Sequence, residues 1–174
     1  MKQGRRFLVI GVVAVAAAVA GYGVNVWRRA GSQAEAAGAV MSARLIDLHG
    51  KALSIDQWRG RVLVVNFWAT WCAPCRDEIP IFIKLQQMHQ ARGLQFIGVA
   101  IDQREKVERF ARDFAMNYPV LLGGIDMMEL SRRAGNRLGA LPFTIIMDRT
   151  GAIVSVQVGI LKEAKLEAML QALL

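Results

Sequence analysis

The pattern of apolar and polar positions divides the chain near residue 40. Residues 7–27 are an uncharged run of 21 positions. As a helix that run is about 31 Å long, which matches the roughly 30 Å hydrocarbon core of a membrane. Beyond it, short apolar runs alternate with helical spacing. Residues 44–48 and 52–55, joined through His49-Gly50-Lys51, predict a short hairpin. Residues 62–67 are continuously apolar and rich in β-branched side chains apart from Asn66, as a strand buried on both faces requires. A helix is predicted over 73–91, stopping before Gly93, and a second buried strand over 94–101. Val107, Phe110, Ala111 and Phe114 recur at i, i+3, i+4 and i+7 and predict the next helix. A brief strand at 120–122 and a short helix at 127–134 follow. Strands at 144–147 and 152–158 meet across the turn-rich Asp148-Arg149-Thr150-Gly151. Leu166, Met169, Leu170 and Leu173 line one face of a closing helix. These elements describe one α/β domain with a mixed central sheet flanked by helices.

The expected organisation is an N-terminal membrane anchor at residues 1–30, a flexible linker at 31–40 and a globular domain at 41–174. Tyr22 and Trp27 stand near the end of the apolar run, where amphipathic rings settle at the headgroup level. Lys2, Arg5 and Arg6 precede it and Arg28 and Arg29 follow it. The positive-inside rule, weakly expressed here, keeps the tail cytoplasmic and exports the rest. A cleaved signal is the alternative, since Ala34-Glu35-Ala36 offers an A-x-A pattern. A run of 21 exceeds the usual apolar region of about 7–15, which favours an uncleaved anchor. Residues 31–40, rich in Ala, Gly and Ser, read as a tether.

Charge narrows the function less than its size suggests. The net formal charge is +8, but five Lys/Arg against one Glu lie in the first forty residues and account for half of it. The remainder is dispersed, and Glu105 and Glu108 precede Arg109 and Arg112 by four, the spacing of a solvated ion-paired face. No basic run interleaved with aromatics points to nucleic acid.

The chemistry is carried by Cys72-Ala73-Pro74-Cys75, placed between a buried strand and a helix. The partial positive charge at a helix start stabilises a thiolate, the attacking form of cysteine. A two-residue spacer lets the second sulfur reach the first, and Pro74 is tolerated in the first turn. A zinc site wants a second Cys/His pair, yet there is no other cysteine, and His49 and His89 stand apart. A structural disulfide closing so short a loop would restrain the unfolded chain little. A redox pair is therefore expected, with no cofactor beyond its own disulfide.

The segment Val65-Asn66-Phe67-Trp68-Ala69-Thr70-Trp71-Cys72-Ala73-Pro74-Cys75 resembles the active site of the thioredoxin superfamily. With Arg76-Asp77-Glu78-Ile79-Pro80 it resembles more narrowly the membrane-anchored TlpA/ResA group of extracytoplasmic thiol–disulfide oxidoreductases. Leu141-Pro142-Phe143-Thr144 extends the likeness, which runs from about residue 44 to the C-terminus. The resemblance implies a thioredoxin-like fold with Cys72 as exposed nucleophile and Cys75 as sheltered resolving thiol. Pro142 is implied as a cis-proline, with Leu141 offering main-chain groups to an extended substrate, and Trp71 and Pro74 as further substrate contacts. Pro80 implies a kink in the active-site helix. Glu78 is implied as a proton relay, the alternative being a carboxylate that merely favours the first helical turns. Two departures stand out. Asn66 holds the place of a buried aspartate in cytoplasmic thioredoxins, and Phe143 stands where many relatives have a small polar residue.

Three function classes follow. A thiol–disulfide exchange enzyme is the first, and the absence of a histidine between the cysteines favours reductase over oxidase. By family likeness its substrates are oxidised exported proteins, as in cytochrome c or copper-site maturation, with a membrane electron-donor thiol protein to re-reduce it and membrane lipid around its anchor. A copper-delivery protein normally pairs CxxxC with a downstream histidine, and none follows His89. A thiol peroxidase resembling peroxiredoxins places proline ahead of its reactive cysteine, and residues 67–71 contain none.

Overall fold

The computed structural model describes residues 2–174, with side chains from residue 18 onward except that of residue 29. The chain divides into two units, one ending at Glu35 and the other running Ala36–Leu174. In the first, the described side chains of helix α1 (Lys2–Ser42) are exposed, Tyr22 and Trp27 among them. The apolar run expected to cross a membrane falls largely on residues 7–17, which lie outside the described side chains. Among the described residues, no helix is long and apolar enough to cross a membrane.

The linker expected at 31–40 differs. These residues are helical, and from Ala36 onward they belong to the second unit, where Ala36, Ala37, Val40 and Met41 are buried in its core. Small residues read as a tether by composition, but Ala is also the best helix former, and here Val40 and Met41 give the helix a face to bury.

The second unit is built on a seven-stranded sheet. Its strands are β1 (Arg44–Asp47), β2 (Ala52–Ser54), β3 (Val62–Trp68), β4 (Leu94–Ala100), β5 (Val120–Leu122), β6 (Phe143–Met147) and β7 (Ile153–Val158), in the order β2-β1-β5-β4-β3-β6-β7. β3, β4 and β5 are mutually parallel and the other pairings antiparallel. β3, β4 and β6 are buried at every position, which is why their sequences read as runs without alternation. The predicted hairpin forms, as β1 and β2. β1 pairs with β5 through Ile46↔Leu122, so the hairpin extends the main sheet.

Helices cover both faces. α2 (Ala73–His89) and α5 (Glu163–Leu173) pack Phe82, Leu85, Leu166 and Leu170 against Val62, Val64 and Phe96. α4 (Ile125–Arg133) and the last turns of α1 close the opposite face over Leu63, Val65 and Phe67. α3 (Arg104–Asp113) lays Val107 and Phe110 against Trp68 at the end of β3. α2 ends in a 3-10 turn and Gly93, whose φ of 94° is the left-handed conformation that glycine adopts most readily. Pro80 lies within α2 on its exposed side.

Burial of Val40 and Met41 makes the domain's true start testable. Two buried apolar side chains contribute about 1.5–3 kcal/mol each. A chain starting at Ala36 is expected to melt cooperatively, and one starting at Ala43 to lose several degrees of Tm. Equal melting temperatures would contradict this boundary.

Candidate active site

β3 delivers the site. Its last residue, Trp68, packs its ring at a tilt against Phe110 and is followed by Ala69, Thr70 and exposed Trp71. This loop is held by Asp102, just beyond β4, which accepts hydrogen bonds from the Thr70 hydroxyl and, at 3.2 Å, from the Thr70 N–H. Burial pushes the Asp102 carboxyl up, but the Thr70 hydroxyl and the N–H groups of Gln103 and Thr70 outweigh it and hold it below the ordinary value.

Cys72 is the N-cap of α2, and its carbonyl accepts from the N–H groups of Cys75 and Arg76 at 3.1 and 3.2 Å. No acidic side chain stands in the first turn and no side chain caps it, so the positive end of the helix is left to the cysteine. Cys72 and Cys75 form a disulfide. Cys72 retains 5 % exposure and Cys75 none, so of the two only Cys72 reaches the surface. Pro74 is half-buried beside them.

The Leu141–Pro142 peptide is cis. Leu141 packs against the cluster that contains both cysteines, and Pro142 is buried behind it, its carbonyl accepting from Gly159 N–H at 2.8 Å. Asn136, fully buried, holds the approach to this loop by donating to the Ala140 carbonyl and accepting from the Ala140 N–H, both at 2.9 Å. Phe143 points into the core against Phe67, so its bulk does not line the substrate side.

Glu78 is fully buried, one turn beyond Cys75 on the same helix face. One oxygen accepts from the Asn66 amide at 2.8 Å and the other from the Leu161 N–H at 3.1 Å. It is the sixth residue of α2 and bonded across the core, which is not the place of a carboxylate serving the helix start. Burial raises its pKa to about 7, against the opposing hydrogen bonds from Leu161 and Asn66. Tyr118, also buried, is kept neutral by burial first and by the Glu78 charge second. The arrangement is a dithiol pair at a helix N-terminus, one sulfur near the surface, with a carboxyl poised to titrate near neutrality behind it.

Sequence reasoning singled out Cys72, Cys75, Glu78, Trp71, Pro74, Leu141 and Pro142. The structure gathers the cysteines, Pro74 and Leu141 at one end of β3, with Trp71 exposed beside them and Glu78 behind. It missed Asp102 and Asn136. A strand-end Asp and an Asn after Gly are turn signals; Thr70, the partner of Asp102, lies on a segment that only the closed fold brings near, whereas Asn136 bonds within its own turn, to Ala140. Among the described residues, no group of three or more His, Cys, Asp and Glu side chains is placed to hold a metal ion.

The fold and site together define the thioredoxin-like class with a vicinal cysteine pair. More particularly, the Redoxin family model matches residues 29–173, and the chain belongs to that family. It is 34% identical over 127 residues to the thioredoxin-like protein YneN of Bacillus subtilis, covering 71% of each chain. It is also 29% identical over 130 residues to the thiol-disulfide oxidoreductase ResA of Geobacillus kaustophilus, covering 74% of this chain and 72% of that one. A thiol:disulfide interchange protein of the thioredoxin family from Chlorobium tepidum superposes with a TM-score of 0.70 at 26% identity, over 77% of this chain and 94% of that chain.

The Glu78 pKa makes stability depend on pH. Raised from 4.5 to about 7 in the folded protein, the carboxyl favours the fold fully below about 4.5, and that contribution is lost as pH rises through about 7. At about 1.4 kcal/mol per unit, the loss is on the order of 3 kcal/mol. Denaturant melts of oxidised wild type and Glu78→Gln from pH 4 to 8 should therefore converge or cross as pH rises, wild type losing ground. Parallel curves would mean that Glu78 titrates as an exposed carboxylate.

Proposed function

We infer that this chain is a thiol–disulfide oxidoreductase that works as a reductase of disulfides in exported proteins. The observation that carries the reading is the Cys72–Cys75 pair at the start of α2, with Cys72 alone retaining surface. In the reduced protein the Cys72 thiolate attacks one sulfur of a substrate disulfide, forming a mixed disulfide and releasing the other sulfur as a thiolate. The Cys75 thiolate then attacks Cys72 Sγ, breaking the mixed disulfide. Two electrons pass to the substrate, which leaves as a dithiol, and Cys72–Cys75 remains as the disulfide. Glu78 takes the proton of the Cys75 thiol and returns it to a leaving sulfur, a role supported by a pKa of about 7. An extended substrate segment lies along Leu141 and cis-Pro142, with Trp71 and Pro74 at its side.

Each cycle leaves the pair oxidised, so a membrane thiol protein must return two electrons by the same exchange. Substrates of the cytochrome c or copper-site maturation type fit this chemistry. The domain acts outside the cytoplasmic membrane, in the periplasm or its equivalent, held by an uncleaved helix at residues 1–30. The uncharged run of residues 7–27 and the exposed Tyr22 and Trp27 support that placement.

The division of labour between the cysteines is tested in cells and with insulin. Cys72→Ser is expected to abolish insulin reduction and substrate capture, whereas Cys75→Ser accumulates mixed disulfides through Cys72. Faster alkylation of Cys75 than of Cys72 in the reduced protein at mildly acidic pH would reverse the assignment.

The anchor is tested separately by mass spectrometry of the membrane fraction. The mature chain is expected to retain residues 7–27; a mature N-terminus near Ala37 would show a cleaved signal instead.

A further inference from the structure

The polar group that the exchange chemistry leaves unused is the Asn66 amide. It lies in the middle of β3, nearly inaccessible, at a position where every neighbour in the strand is apolar. Its nitrogen donates to Glu78 Oε1 at 2.8 Å and to Thr144 Oγ1 of β6 at 3.0 Å. Its oxygen, equally buried, has no partner. A carboxamide has two donors at one end and two lone pairs at the other. Here both donors are used and both lone pairs are wasted, an arrangement that costs stability and suits the ionised state of Glu78 better than the neutral one, whose O–H finds no acceptor on it. An ionised carboxylate can accept but not donate, so it takes the nitrogen end. A protonated Glu78 carries an O–H that the nitrogen end cannot receive.

Turning the amide end for end resolves this. The oxygen then faces both Glu78 and Thr144 and accepts from the two hydroxyls, since threonine can donate as readily as it accepts. The side chain therefore has a matched orientation for each state of the carboxyl. The surroundings leave it alone in that task. From α2 itself Glu78 is approached by Cys75, disulfide-bonded here; from the segment before α5, by the Leu161 N–H; and from the segment before β5, by neutral Tyr118. Among the described residues, no cation acts on it, and Asn66 is the one side chain that favours the charged form.

We propose that Asn66 is a positioning residue for the exchange reaction, its amide turning over as Glu78 gains or loses a proton and so holding the carboxyl in place in both states. This rests on the reading of Glu78 as the proton carrier. It assigns a purpose to the departure at position 66. Where an aspartate would compete for the proton, an amide serves the carboxyl without taking it. It also links the carboxyl to β6, two residues beyond cis-Pro142, through Thr144.

The test reads the carboxyl directly. In the oxidised protein the Glu78 side-chain carboxyl carbon is followed by carbon-13 NMR across pH, together with the Asn66 side-chain N–H₂ resonances. In wild type both are expected to move with one midpoint, near 7. In Asn66→Ala and in the near-isosteric Asn66→Leu both states of Glu78 lose a partner, but the bond to the anion is the stronger, so the Glu78 midpoint is expected to rise, by about half a unit to one unit. Asn66 resonances that stay fixed through the Glu78 titration overturn the proposal without any variant, and so does an unmoved midpoint in either folded variant. Failure of the proton-carrier reading is a different result. It is an exchange-rate profile against pH that is the same for wild type and Glu78→Gln, whatever the Glu78 midpoint does.

Discussion

The Glu78 carboxylate is the constraint around which this domain is arranged. It sits where β3, α2 and the segment leading into α5 meet, and it bonds to the first and last of these while belonging to the second. A charge so placed is tolerable only when hydrogen-bonded, because burial of an unpaired carboxylate is costly. The Asn66 and Leu161 donors meet that need in part. What remains uncompensated pushes the pKa toward neutrality. The same bond that restrains α2 thus holds a carboxyl that titrates near neutrality one turn beyond Cys75.

The rest of the site is held by backbone and by polar braces rather than by bulk. Cys72 caps α2, Asp102 grips the loop before it, and Asn136 fixes the approach to Leu141 and cis-Pro142. Each brace joins segments distant in the chain or closes a loop at the edge of a sheet whose adjacent strands β4, β3 and β6 are wholly buried. Sites carried by such a frame keep their geometry while the loops between remain free to meet a substrate. Trp71 stands exposed beside a nearly covered Cys72.

Much of this was legible in the residues before any coordinates. Continuous apolar runs marked β3 and β4 as central, helical spacing marked α3 and α5, and the cysteine pair declared the chemistry. These features are local: they depend on period, on composition and on a helix start, all of which a sequence carries along its own length. The misreading arose where local and tertiary demands differ. Residues 31–40 have the composition of a tether, but Val40 and Met41 find a core to enter, so the helix persists into the domain. The hairpin at residues 44–54 is legible from its turn residues, but that β1 completes an edge of β5 is decided only by the fold.

What the sequence alone determined is therefore the class of fold and the identity of the redox pair, since both rest on patterns a few residues wide. Only the tertiary structure decided the company that Glu78 keeps. Its partners lie 12 and 83 residues away, and neither an asparagine in a strand nor a backbone N–H before a helix announces a carboxylate. Burial and hydrogen bonding are properties of what packs around a group, and they are defined once the chain has closed on itself. Asp102 belongs to the same category, an ordinary turn residue by sequence whose partner Thr70 lies 32 residues away.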